Sequence, residues 1–552
     1  MKKYTIGLDY GTLSARAVLV EVDNGEEICS ATFEYPHAVM DGCLPSGKKL
    51  GDAWALQHPK DYIDALKIII PQILKESKVD KKNIIGIGVD FTACTVLPVK
   101  NDGKPLCFLT EYQNEPHAFV KLWKHHSAQK YATLINEKAS EMGKKWISQY
   151  GGKTSSEWLF AKLLQIFVEA PKIYEQTDCF VEAGDWLVWQ LTGQLTRSSC
   201  MAGYKALWNK KDGYPSCEFF ESLATGFGKV VEEKLKGTPK STGQIAGFLT
   251  PKSAKIYGLC EGTPIAVCLI DAHASVPSLG IESEGKMLAI MGTSTCHMLL
   301  SKSEQHVLGV CGVVEDGILP GFYGYEAGQA CVGDHFSWFV DNCVPQSFNE
   351  AAKNEGLNIY VYLRSLAEKK HPGESGLIAL DWWNGNRSVL VDSDLTGLII
   401  GMTLRTKPDD IYRALIEATA YGTRKIIEVF EDSGVPVHEF YAAGGISQKD
   451  PMTMQIYADV INRPIKIANS LNSSALGSAI FGAVAAGKAS GGYDDIYEAA
   501  RKMGKVKEKV YIPISENVII YNKLYAEYST LHDYFGKGEN DVMKRLKRFR
   551  DI

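Results

Sequence analysis

Several short segments of this 552-residue chain place an acid, a hydroxyl or paired glycines directly after an apolar run. Near the N-terminus, Tyr4–Leu8 reads as a strand leading into Asp9-Tyr10-Gly11-Thr12, and Ala15–Val22 as the strand that follows. A tight turn containing Gly11 lets backbone N–H groups approach phosphate oxygens, and the Thr12 hydroxyl adds a donor. Asp9 at the strand end can hold Mg²⁺ through water, because magnesium favours one or two carboxylates together with phosphates. The same residues also suit a plain β-hairpin in which Asp9 and Thr12 only stabilise the turn. Near the middle the pattern returns: Met287–Met291 leads into Gly292-Thr293-Ser294, and Cys296–Leu300 resumes a strand. Two such turns, one from each half of the chain, could clasp a nucleotide's phosphate chain from both sides.

Two further segments stand at predicted strand ends. Pro264–Ile270 reads as a buried strand ending at Asp271, and the carboxyl edge of a sheet is where α/β proteins form ligand sites. There the carboxylate could take the proton of an attacking alcohol, or simply cap a helix. Glu439–Ala443 ends at Gly444-Gly445, followed by Ile446-Ser447-Gln448. Paired glycines let a flat base lie against bare backbone, and Gln448 can cap the next helix or meet a ribose. Two familiar nucleotide patterns are missing. Gly152-Lys153-Thr154 imitates the end of a phosphate loop, but Ile147 stands where its first glycine belongs, and no GxGxxG opens a helix after a strand.

The elements around these segments alternate. A helix over Tyr62–Lys75 precedes a compact strand, Ile84–Val89. From Asp409, Ile411, Ala414, Leu415 and Ala418 repeat at helical spacing, with Thr406 and Asp409 resembling a capping box and Gly434 and Pro436 as the stop. After Gly445 a helix runs to a point before Pro464. Strand–helix alternation of this kind marks α/β domains, and the half-boundary is expected between Ala274 and Gly285, giving domains 1–278 and 279–552. The stretch from Ile467 to Gly487 carries no charge, but Asn469, Asn472, four serines and an Ala/Gly centre would insert poorly into lipid. It reads as a strand, a loop and a close-packed helix in a core.

Composition narrows the class. With 45% hydrophobic residues the chain can build sizeable cores, and its length suggests two to four domains at roughly 150 residues each. Sixty Lys and Arg against 65 Asp and Glu give a net charge of −5, which argues against a nucleic-acid partner. The basic run Lys544–Arg550 reads as a solvated helix end. Thirteen scattered cysteines without a CxxC pair, and twelve histidines without an HExxH, suit reduced thiols in the cytoplasm rather than disulfides or structural zinc. Asp9 and Arg16 interrupt any secretory leader at the start.

Taken together, the paired hairpins, the intervening Asp271 and the Gly-Gly turn resemble the sugar-kinase branch of the actin–hexokinase fold. Gly397-Leu398-Ile399-Ile400-Gly401-Met402, followed after seven residues by Asp410-Ile411 and Ala414-Leu415-Ile416-Glu417, is similar to the second signature of the FGGY carbohydrate kinases. Lys153-Thr154-Ser155-Ser156-Glu157-Trp158 with Lys162 resembles that family's first conserved region. The resemblance implies an α/β fold of two actin-like (ribonuclease H-like) ATPase domains with a ligand cleft between them. It implies ATP and Mg²⁺ as cofactors and Asp271 as the general base. Asp9 falls to the metal, Gly11, Thr12, Gly292, Thr293 and Ser294 to phosphate, and Gly444, Gly445 and Gln448 to the nucleoside. Gly324–Gln329, Val332–Asp334 and Gly184–Gly193 look like the branch of the family that phosphorylates L-ribulose during L-arabinose breakdown. That branch places Ala93, Trp123, Lys205 and Glu326, with Asp271, around the sugar. Lys205 could donate to sugar oxygens, Glu326 accept from hydroxyls and Trp123 wall the C–H face. From residue type alone they read first as a surface lysine, a salt-bridge partner and a helix core residue. No nucleic-acid or membrane partner is expected, and the oligomeric state is left open, a homodimer included.

Overall fold

The computed structural model describes residues 2–550. Each half of the chain builds one large sheet around the same kernel, an antiparallel hairpin whose first strand also pairs in parallel with a later strand. In the first half, Tyr4–Tyr10 pairs with Ser14–Glu21 and lies parallel to Ile84–Phe91. In the second, Lys286–Met291 pairs with Thr295–Ser301 and lies parallel to Glu439–Ala443. The first sheet extends outward to Glu27–Glu34 on one side and to Pro264–Ala266 and Ile245–Phe248 on the other. The second adds Tyr323–Gln329 and Gly312–Glu315 at one edge, and Ile465–Ala468 and Val506–Tyr511 at the other. The two expected hairpins are therefore both present, and parallel pairing sends the carboxyl ends of their neighbouring strands toward the hairpin turns.

The uncharged stretch resolves into the strand Ile465–Ala468 and the helix Ser473–Ala486. That helix crosses back onto the first sheet. A Cβ at Gly88 would stand 1.8 Å from Ser478 O, and one at Gly477 would stand 1.7 Å from Ala274 O on the helix Asp271–Ser278. Glycine on both surfaces is what allows backbone-to-backbone approach. Its Ala, Gly and Ser composition is thus explained by packing.

Several boundaries differ from expectation. Pro264–Ile270 is two strands, Pro264–Ala266 and Leu269–Ile270, because the Val267 N–H leaves the ladder and donates to Gln244 O at 2.9 Å. The long helix spans Pro408–Asp432, and its capping box lies one residue later than expected. Asp410 accepts from the Lys407 N–H at 2.8 Å, while the Thr406 hydroxyl accepts from Thr403 N–H. Pro408, lacking an N–H and fixed in φ, sets that start. The helix after Gly444 is split into Gly445–Lys449 and Pro451–Ile461, where Pro451 begins a new first turn. The C-terminal basic helix meets acids rather than solvent alone, with Lys547 Nζ 2.8 Å from Asp394 and Lys544 Nζ 2.5 Å from Asp392.

An unexpected third unit branches from the first half. Leu56–Gln57, Val120–Lys121, Val96–Val99 and Cys179–Glu182 form a small sheet over its own aromatic core of Tyr150, Trp158, Phe160, Phe180, Phe219, Phe220 and Phe227. All thirteen cysteines are free thiols. Among the described residues no helix is long and apolar enough to cross a membrane.

Candidate active site

Three neighbouring strands of the first sheet end in acids at one edge. Asp9 stands opposite Asp90, and Asp90 opposite Leu269, so that Asp271 follows on the third strand two residues later. Asp271 opens the helix Asp271–Ser278, and its Oδ1 accepts from the Ala272 N–H at 2.7 Å. Burial raises its carboxyl to about 7, with the Asp9 charge and then Glu326 adding, against the Ala272 N–H and Lys205. A carboxyl of that strength changes protonation at neutral pH, as a general base requires. Burial also raises Asp9, against Arg16 at 3.4 Å. Asp90 is pushed well above the carboxylate range, by burial and then by Asp9, and accepts from the Ser478 hydroxyl at 2.6 Å. Its Oδ1 is buried and finds no partner among the described residues.

This acid edge suits a hard dication that keeps most of its waters. Asp9 supplies a carboxylate only partly balanced by Arg16, beside the unpartnered Asp90 Oδ1. Among the described residues no three His, Cys, Asp or Glu side chains form an all-protein metal cage. Any magnesium held here would therefore depend on a phosphate ligand as well.

Lys205 and Glu326 come together although they lie on different lobes. Lys205 ends the helix Ser199–Lys205, Glu326 lies on the strand Tyr323–Gln329, and Lys205 Nζ is 2.7 Å from Glu326 Oε1. The other carboxylate oxygen is 3.0 Å from His273 Nε2, two residues beyond Asp271. Burial pushes the Glu326 carboxyl up, but Lys205 and His273 outweigh it and hold it well below its usual value. The lysine is not a surface residue: its side chain is 8% exposed and that of Glu326 11%. A fixed cation and anion beside Asp271 present both a donor and an acceptor to a polyhydroxy ligand.

Ala93 and Trp123 sit on two loops of the third unit. Trp123 follows the short strand Val120–Lys121 rather than lying in a helix, and its indole N–H donates to the Thr12 hydroxyl at 3.1 Å. That bond ties the tryptophan to the first hairpin turn and leaves the Thr12 proton free to donate. Cys94, next to Ala93, holds a φ of 56°, and Leu207, two residues after Lys205, has the same value. Left-handed backbone at non-glycine residues costs about 1–3 kcal/mol and persists where surroundings enforce it.

What enforces the Ala93 loop is Lys162, a lysine inside the apolar helix Leu159–Glu169. Its ammonium donates to Cys94 O, to Leu122 O at 2.8 Å and to Lys121 O at 3.4 Å, so one buried group joins the loops carrying Ala93 and Trp123. Burial lowers it to about 8. Lys162→Met leaves these carbonyls unpaired, at about 1–3 kcal/mol each. On the sugar role that the family resemblance implies for Ala93 and Trp123, we expect the KM for sugar to rise at least tenfold while the KM for nucleotide holds; steady-state kinetics varying each substrate separately check this.

On the second lobe, the Gly292 N–H closes the turn onto Ser294 O at 2.9 Å. The helix Gly333–Cys343 braces it from behind, with Gly333 N–H to Gly292 O at 3.0 Å and Val332 N–H to Thr293 O at 2.8 Å. Gly444, at φ 90°, abuts the same strand end: a Cβ there would be 2.5 Å from Met291 O. Gly445 has open space around it. The second hairpin and the Gly-Gly turn are thus adjacent. Gln448 donates to Ala468 O at 2.7 Å, which braces the turn, and its buried Oε1 has no donor among the described residues.

Sequence reasoning overlooked Asp90 and the function of Lys162, although both left a signal. Asp90 is an acid ending an apolar strand, as Asp271 is, and Lys162 is a lone charge in an apolar helical run.

Two α/β lobes, each built on a sheet that carries one glycine–threonine hairpin, define a two-lobed fold with repeated architecture. The N-terminal domain of the FGGY family of carbohydrate kinases matches residues 4–277 and its C-terminal domain residues 287–486, and the chain belongs to that family. Along its whole length it is similar to ribulokinases. It is 57% identical to the one from Anoxybacillus flavithermus, covering 100% of this chain and 98% of that protein. It is 58% identical to the one from Bacillus licheniformis, covering 98% of each. Among solved structures, a xylulose kinase from Lactobacillus acidophilus superposes with a TM-score of 0.79 at 18% identity, over 97% of this chain and 99% of that one. A glycerol kinase from Plasmodium falciparum superposes with a TM-score of 0.74 at 17% identity, over 96% and 98%. At these identities the structures speak for the fold alone.

Proposed function

We propose that the protein transfers the γ-phosphoryl group of ATP to the 5-hydroxyl of L-ribulose, the phosphorylation step of L-arabinose breakdown. The observation that carries this reading is the convergence of Asp271 with the Lys205–Glu326 pair at the edge that also bears Asp9 and the first hairpin. In this reading Lys205 and Glu326 hold sugar oxygens, Trp123 and Ala93 wall the sugar, and the terminal hydroxyl lies against Asp271. Asp271 accepts its proton as the oxygen attacks phosphorus. Gly11, Thr12, Gly292, Thr293 and Ser294 surround the phosphates, and the nucleoside lies along Gly444-Gly445. Asp9 would hold Mg²⁺ through water, and the ion would spread the charge of the phosphates. Phosphoryl transfer asks mainly for positioning, so closure of the lobes over both substrates also keeps water from the acceptor's place.

A panel of sugars tests the substrate. ADP release coupled to a colour reaction is expected to be fastest with L-ribulose, slower with xylulose and ribitol, and least with glycerol. A clear preference for glycerol or xylulose would move the reading to another kinase of the same family.

A further inference from the structure

The loop between the strands Ile378–Leu380 and Leu398–Ile400 is clamped to the strand that carries Glu326. The Ser388 N–H donates to Gly328 O at 3.0 Å, and the Gly328 N–H donates to Ser388 Oγ at 3.1 Å. Arg387 immediately precedes this clamp. Its stem lies across Gly328, where a Cβ would stand 3.2 Å from Arg387 Cδ and 3.6 Å from Nη1. Gly328 and Glu326 are two residues apart on one strand and therefore share a face. The guanidinium is delivered to the same face of the sheet from which Glu326 meets Lys205 and His273.

There it makes no side-chain hydrogen bond among the described residues. The Glu157 and Glu326 carboxylates favour its charged form against burial, yet neither hydrogen-bonds it. One oxygen of Glu326 accepts from Lys205 at 2.7 Å, and the other lies 3.0 Å from His273 Nε2. The guanidinium is half-buried and carries five N–H donors, which are left for water or a ligand to meet. Glu157 belongs to the opposite lobe, next to Trp158, whose ring faces the Lys205 ammonium at 5.8 Å. Arg387 therefore lies near Glu326, one of the residues assigned above to the sugar, and feels the charge of Glu157 from the other lobe.

We propose that Arg387 is a sugar-binding residue, its guanidinium donating to oxygen atoms of the bound ketopentose beside Glu326. The inference rests on the reading of the cleft as a ketopentose kinase site. It gives that site a second fixed cation, one left free for the ligand where Lys205 is shared with Glu326. A transferring phosphoryl group offers similar acceptor oxygens, and the experiment separates the two.

The test compares wild type with Arg387→Met and Arg387→Lys, using calorimetric titration with L-ribulose in the absence of nucleotide and steady-state kinetics alongside. Arg387→Met is expected to weaken sugar binding by about 10- to 100-fold, the loss of one or two charged hydrogen bonds. Arg387→Lys should recover part of it, and the KM for ATP should stay within about twofold in both. Sugar affinity unchanged in either variant overturns the proposal, and a fall in kcat alone would assign the guanidinium to the phosphoryl group instead. If wild type ignores L-ribulose, the reading of the substrate fails by itself, and the same titration with the sugar it does phosphorylate still decides the role of Arg387. Arg387→Lys keeps the stem over Gly328, so it supplies the answer should Arg387→Met not fold.

Discussion

Asp271→Asn is expected to lower kcat by about 10²- to 10⁴-fold, the usual contribution of a positioned general base, while sugar affinity stays within a few fold. The amide keeps the shape and the acceptor for the Ala272 N–H but cannot take a proton. A fall in affinity with turnover preserved would assign Asp271 to binding instead. The wild-type pH profile carries a second expectation. Burial and the neighbouring Asp9 and Glu326 charges hold the Asp271 carboxyl at about 7, and a base works only when ionised. The rate at low sugar should therefore climb with pH through about 7 and level off above it. The acidic limb should move down in Glu326→Gln, which removes a repelling charge, and up in Lys205→Met, which removes an attracting one. A profile flat from pH 6 to 8 would contradict a base of this strength.

Lys205→Met is the second large effect. It strands Glu326 between the lobes without its ammonium, and breaking one side of a buried ion pair costs about 3–5 kcal/mol. We expect a marked fall in melting temperature together with a loss of at least tenfold in kcat/KM for sugar. Lys205→Met combined with Glu326→Gln should regain much of the stability, because no charge is left uncompensated, and none of the activity. Coupling in stability without coupling in activity is the signature of a pair that both holds the lobes and serves the ligand. If the double variant recovered turnover, the pair would be structural only.

Both hairpins were legible because each depends on local order: an apolar strand, a glycine–threonine turn and a returning strand. The Gly-Gly turn after Glu439–Ala443 was legible for the same reason. The helix Ser473–Ala486 was readable as close-packed but not as a cover for the opposite sheet, since its partners Gly7 and Gly88 lie hundreds of residues earlier. The third unit stayed hidden because strands such as Leu56–Gln57 and Val120–Lys121 are too short to show a period. The pairing of Lys205 with Glu326, 121 residues apart, is a product of the two lobes meeting. No spacing rule reports it; only the family resemblance pointed to both residues. Gln448 shows the reverse, a side chain whose type fits a ribose but whose amide the fold uses for Ala468.

The account depends most on where the acceptor hydroxyl lies. A crystal structure with a ketopentose and a non-hydrolysable ATP analogue measures this directly. The terminal hydroxyl is expected within hydrogen-bond distance of an Asp271 oxygen and in line with the γ-phosphorus, with Lys205 and Glu326 on the sugar's other oxygens. A sugar bound with that hydroxyl pointing away from Asp271, or a triphosphate lying outside the two hairpins, would contradict it.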